Sequence, residues 1–292
     1  MQNVTPVALA ALTLELVPAV IFGFAGEWAG RTIARWRAAL RIVAPAAVAV
    51  IYGFVTLSQH TFHWAWFAGY AGLPVVIAWL LAQAKAADPE QRGNWRDAGI
   101  LLVLGLAVDL RWFDSAWPAG WQALGKILLV DVGLYGFAGV RRLTGAGFDF
   151  RLKWSDWTTG LRELALFAPV VLVLGLALGF IHPHTNLPTL SPAALQWAEI
   201  FFFVAVPEEL FFRAWVQNLL ERSIGRRMAL LVASALFGLS HFNKRSSHFN
   251  WQYVLLATVA GVFYGRAWRE RQRVPASSIT HTCVDWIWSW WF

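Results

Sequence analysis

Charge and cysteine are what this chain has least of. Only 14% of its 292 residues are Asp, Glu, Lys or Arg, against roughly 25% in soluble domains, while 58% are hydrophobic and the mean hydropathy is +0.50. That balance excludes an ordinary soluble domain with a solvated face. A single cysteine, Cys283, cannot close an internal disulfide, so oxidative stapling plays no part in the fold. Bases outnumber acids, 24 to 17, giving a net charge of +7 and a pI near 10.1. They sit in short loops between apolar runs, so the excess fits the positive-inside rule and no nucleic-acid partner is expected. There is no His-Glu-x-x-His pair and no Gly-x-Ser-x-Gly elbow. Ser240 adjoins His241, but neighbouring helical residues point apart, which argues against a serine nucleophile.

What the chain does have is apolar length. Ten runs can be marked, at about residues 4–26, 39–57, 64–83, 98–113, 119–140, 162–181, 193–220, 228–242, 251–268 and 275–292, most approaching the roughly 20 residues of a membrane span. They predict an all-α, polytopic integral membrane bundle of about 8–10 transmembrane helices, with the lipid bilayer as its solvent. The first run lacks a basic leader and a small-residue cleavage site, so it is expected to be a retained span. Basic clusters such as Arg31/Arg35/Arg37/Arg41, Arg141/Arg142 and Arg266/Arg269 follow alternate runs, which places both termini away from the cytoplasm. Many of the 19 Trp lie near run ends, among them Trp64, Trp117, Trp154 and Trp288, as in interfacial belts. The polar stretch 141–161 is the natural boundary between two membrane halves, residues 1–160 and 161–292.

Acids inside apolar runs are functional candidates, because a carboxylate at bilayer depth costs at least about 2.5 to 3.5 kcal/mol. Glu15, Lys126 and Asp131 are expected chiefly to pair between helices, with an ion path as the minor reading. Pro207-Glu208-Glu209-Leu210-Phe211-Phe212-Arg213 is more pointed. A helix from Ala193 to Leu220 would be about 40 Å long, with Glu208 near its middle. Glu209 precedes Arg213 by four residues, the order that suits a helical ion pair, so these two are expected to be structural. Glu208 points about 100° away and is left without a local counter-ion.

Two later runs add imidazoles at helical spacing. Phe237-Gly-Leu-Ser-His241 puts a ring and an imidazole on one face, and His281-Thr-Cys-Val-Asp285 does the same for an imidazole and a carboxylate. Each would be costly against lipid, so all are expected to turn inward and satisfy one another.

Glu-Glu-x-x-x-Arg, Phe-x-x-x-His and His-x-x-x-Asp, in that order on separate apolar runs, resemble the CPBP family, named for CAAX proteases and bacteriocin-processing enzymes and also called Abi. The resemblance covers about residues 160–292 and makes 161–292 a CPBP-like catalytic core. It implies an intramembrane glutamate endopeptidase, without a cofactor, in a bacterial cytoplasmic (inner) membrane, cutting a membrane-anchored protein or peptide. Glu208 with His241 would activate water, and His281 with Asp285 would hold the oxyanion, supported by Glu209, Arg213 and Phe237. Asp285 stands where the CAAX branch has Asn. An ionised carboxylate would repel an oxyanion, so Asp285 is expected either to be protonated or to orient His281.

Two other readings use the same residues. Glu208, His241 and His281 form a His₂Glu set that could hold zinc and a water. A scaffold or immunity protein could keep the fold without cutting. His241 is expected toward the non-cytoplasmic face, where Asn243, Lys244, Arg245, Ser246, Ser247 and His248 would give a polar water path.

Overall fold

The computed structural model describes residues 5–183, 190–244 and 248–291, and among these it is helical without strands. Its contacts define two compact units, Met1–Thr144 and Gly145–Phe292. The division falls inside the polar stretch 141–161.

In the first unit, α1 (Pro6–Arg35) starts where the Thr5 hydroxyl accepts the Ala8 N–H at 3.2 Å and Pro6 fixes the opening φ. It bends at Ala25 and runs past the apolar stretch, so Arg31 and Arg35 belong to the helix and not to a loop as the charge pattern predicts. There follow α2 (Ala38–Val43), a 3₁₀ turn, α3 (Val48–Ser58), α4 (Trp64–Ala87), α5 (Trp95–Asp109) and α6 (Gln122–Leu134), which continues as a π-helical segment to Arg141. Asn94 and Asp97 cap α5 reciprocally. Tyr52, Tyr70 and Trp117 anchor one core, with the Trp117 indole N–H donating to the Tyr70 hydroxyl at 2.7 Å. Trp117 is therefore a core residue, contrary to its expected place in an interfacial belt, because its one polar atom finds an internal acceptor. Arg141 is fully buried, and its guanidinium donates to Asp97 and Asp88. Glu15 and Asp131, on the packed helices α1 and α6, are also buried, yet no carboxylate oxygen of either is hydrogen-bonded among the described residues. Among the described residues neither forms an ion pair with Lys126.

The second unit holds α7 (Trp154–Ala177), a long helix from Leu190 to Ile224, α11 (Arg226–Leu239), α12 (Trp251–Arg271) and α13 (Val274–Trp291). The long helix comprises α8 (Leu190–Ile200), α9 (Val206–Glu209) and α10 (Asn218–Ile224), joined by π-helical segments at Phe201–Ala205 and Leu210–Gln217. Helix α12 packs on α7, α11 and α13, and α7 packs on α13. Small residues allow the closest approaches: a side chain at Gly160 would stand 2.8 Å from Ile279, and one at Gly261 would stand 3.0 Å from the backbone of Ser234.

Among the described residues, each of the ten apolar runs is mostly helical. Five helical stretches among the described residues are long and apolar enough to cross a bilayer: Pro6–Arg35, Ala38–Ser58, Trp64–Ala87, Gln122–Arg141 and Trp154–Ala177. Helices α5 and α11, with 15 and 14 residues, reach only about 22 Å, short of a hydrocarbon core of about 30 Å. Leu14, Val50, Val173 and Leu231 are more than half exposed, as expected of side chains that meet lipid. Trp64, Trp95, Trp154 and Trp251 each open a helix and stay exposed, the positions an aromatic belt occupies.

Candidate active site

Three helices of the second unit bring the motif residues together. Glu208 and Glu209 close the short α-helical turn between the two π-helical segments, an irregularity that commonly marks functional positions. Being successive residues, they leave the helix in different directions, and both reach His281 from opposite sides of its ring. Glu209 Oε1 lies 3.0 Å from His281 Nδ1, and Glu208 Oε2 lies 3.9 Å from His281 Nε2. Asp285, one turn along α13, brings Oδ2 to 3.5 Å from the same Nε2. Three carboxylates thus surround one imidazole.

The innermost of them is fully paired. Arg213 Nε donates to Glu209 Oε2 at 2.9 Å, and both side chains are completely buried, as the i,i+4 spacing predicts. The remaining guanidinium nitrogens of Arg213 make no hydrogen bond, but its charge sits over the Phe237 ring, 5.1 Å from the centroid. Phe237 thereby acquires a physical role: its ring also meets His241 and His281 edge-on or tilted, at 4.9 and 5.7 Å. Glu208 differs from its neighbour. Its side chain is about a third exposed, with Oε2 buried and without a hydrogen bond.

His241 closes α11. Its Nδ1 lies 2.8 Å from the carbonyl oxygen of Phe237, which can only accept, so Nδ1 carries the proton and Nε2 keeps a free lone pair. The Ser240 hydroxyl donates to the same carbonyl. Among the described residues His241 forms no ion pair with Glu208; the imidazole nearest Glu208 is that of His281. No three His, Cys, Asp or Glu side chains among the described residues are grouped to hold a metal.

His241, His281 and Asp285 line a cavity of about 210 Å³, otherwise walled by apolar and aromatic side chains such as Phe167, Tyr253, Ala257 and Trp288. Two tyrosines of α12 carry no motif signal and are missed by sequence reasoning. The Tyr264 ring stacks on His281, with centroids 4.6 Å apart and planes 17° from parallel, and Tyr253 packs on His241 at 5.0 Å. Their spacing to each other, eleven residues on one helix, is the only trace they leave in sequence. Of the expected polar water path, Arg245, Ser246 and Ser247 lie outside the described residues.

Fold and cavity together define a helical membrane protein in which two imidazoles and Asp285 line a small, mostly apolar chamber, with Glu208 and Glu209 beside His281. Residues 189–287 match the family model described as Type II CAAX prenyl endopeptidase Rce1-like, and that stretch contains all three motifs. No curated protein and no solved structure matches the chain. The family match is consistent with the CPBP resemblance and supports intramembrane endopeptidase activity.

Proposed function

We propose that this chain hydrolyses peptide bonds of membrane-anchored proteins with water activated by Glu208 and His241, in the cytoplasmic (inner) membrane of a bacterium. The observation that carries this reading is the convergence of His241, His281 and Asp285 on one apolar cavity with Glu208 beside them. Glu208, partly exposed and without a hydrogen bond on Oε2 among the described residues, takes a proton from water. The free Nε2 of His241 accepts the hydrogen bond that orients that water. The hydroxide adds to the carbonyl carbon, and the oxyanion that forms is met by His281 Nε2–H. Glu209 holds the opposite nitrogen of that ring, and Asp285 supports it from one turn away. Collapse breaks the C–N bond, and Glu208 returns its proton to the leaving amine. No step needs a metal.

Intact-mass comparison of membrane proteins from cells carrying the wild type or Glu208→Gln tests the activity. A substrate trimmed only by the wild type is expected; identical mass profiles would sink the proposal. Loss of trimming by the purified protein on treatment with a chelator, restored by zinc, would instead favour the His₂Glu reading. The site is further proposed to hydrate from the non-cytoplasmic side. A lone cysteine at exposed Phe249, in a Cys283→Ala background, is expected to react with an impermeant thiol reagent in intact cells. Protection until the membrane is opened reverses the assignment.

A further inference from the structure

The first unit gathers cations for which it supplies no anion. Lys85, in the last turn of α4, lies within electrostatic reach of the guanidiniums of Arg142, Arg41 and Arg141. Of these, only Arg141 is neutralised, and it occupies both nearby carboxylates, Asp88 and Asp97. Asp88 spends its remaining capacity on the backbone N–H groups of Arg92 and Gly93, and Glu90 pairs with Arg92. Arg41, Lys85 and Arg142 form no ion pair among the described residues. All three are partly buried, and Nε of Arg41 is buried without a hydrogen bond.

The backbone that carries two of these cations is held in place, and α4, which carries Lys85, packs on both α2 and the π-helical end of α6. The Tyr135 hydroxyl donates to the carbonyl of Arg41 at 2.8 Å, which ties α2 to the π-helical end of α6. Arg142 takes a left-handed backbone conformation, φ 56° and ψ 48°, and the Gln91 side chain donates to its carbonyl at 3.0 Å. Its Nε lies over α1, 3.7 Å from where a β-carbon on Gly30 would stand. The positive-inside rule accounts for bases at a membrane face, but solvated bases move away from one another. Three part-buried like charges on packed helices call for a counter-anion.

The rim indicates which anion. Leu40 and Val43, on either side of Arg41 in α2, are 53% and 56% exposed. A free phosphate has no use for them, whereas the phosphodiester of a lipid brings acyl chains that cover them, and basic pockets between helices are known to take such headgroups. We propose that Arg41, Lys85 and Arg142 bind the headgroup phosphate of an anionic phospholipid, with its acyl chains on Leu40 and Val43.

The test uses the full chain in nanodiscs of phosphatidylcholine alone or of equimolar phosphatidylcholine and phosphatidylglycerol. The wild type is expected to unfold several degrees higher with phosphatidylglycerol, about 4 °C or more, and native mass spectrometry should find phosphatidylglycerol retained. Lys85→Gln and Arg142→Gln should abolish both effects. Arg31→Gln, an exposed base of α1, should keep them. Lys85→Gln decides alone if Arg142→Gln does not fold, since Lys85 makes no hydrogen bond among the described residues. Full retention of the shift by Lys85→Gln, an equal loss in Arg31→Gln, or an equal shift produced in phosphatidylcholine by inorganic phosphate would each overturn the proposal. The first denies the site, the second makes the attraction diffuse, and the third makes the ligand a free anion.

Discussion

Both units bury acids, and Glu15 and Asp131 of the first are treated differently from Glu209 of the second. In the second, Glu209 accepts Arg213 on one oxygen and meets His281 with the other, and Arg213 in turn rests on the Phe237 ring. In the first, Glu15 and Asp131 are as deeply buried, but none of their four oxygens has a hydrogen bond among the described residues. A buried charge costs several kcal/mol unless it is paired, so an orphan acid at such a position is held most cheaply as the neutral acid, whereas Glu209 is held as an ion. Burial alone therefore does not mark a reactive acid. What marks Glu208 is that it belongs to neither category: it is beside a buried network, borders a cavity residue, and keeps contact with solvent.

Four substitutions sharpen that contrast. The largest effect is expected at Glu208, where Gln keeps the shape and removes the basicity, so hydrolysis should fall by at least about 100-fold with the folded yield unchanged. Near-normal cleavage would move the base elsewhere. Next comes Arg213→Ala, which strands Glu209 as an unpaired buried charge and should cost on the order of 3 to 5 kcal/mol, read as lost thermal stability. A stable but inactive Arg213→Ala protein would put Arg213 in the chemistry. Glu15→Gln and Asp131→Asn should be far milder, within about 1 kcal/mol, because no hydrogen-bonded partner is lost. If either matched Arg213→Ala in thermal melts, the first unit would hold a partner for that acid and the contrast would fail.

The three motifs were legible because each is a local spacing of polar residues in an apolar background, and helical geometry turns spacing into a shared face. The Glu209–Arg213 pair follows from i,i+4 order alone. What spacing could not give was the meeting of both glutamates on His281, because it depends on how α13 sits against a helix interrupted by π segments. Nor could it give Tyr264, an aromatic among many whose role exists only through a ring stacked across two helices. The helix pattern was legible throughout, but the buried place of Trp117 was not, since a belt residue and a core residue look alike until Tyr70 supplies the acceptor. Charge counting also assigned Arg31 and Arg35 to a loop, although arginine is a good helix former and α1 simply continues through them.

The smallest expected effect tests whether pairing outside the membrane matters as it does within. In the segment 142–153, partial burial pushes the Asp149 carboxyl up, but the backbone N–H and guanidinium of Arg151, with Arg273, outweigh this and hold it below the usual carboxylate range. A group whose folded pKa lies below its unfolded value stabilises the fold above the unfolded value, about 3.9 for Asp, and loses that contribution as pH falls through the folded one. Asp149→Asn should therefore melt about 1 to 2 °C below the wild type near pH 7, a modest shift because Arg151 is largely exposed and screened. Below about pH 4 the two melting curves should converge as the wild-type carboxyl takes up its proton. A difference that stayed constant down to pH 3 would show that the side-chain shape of Asp149, and not its charge, holds this segment against Arg273.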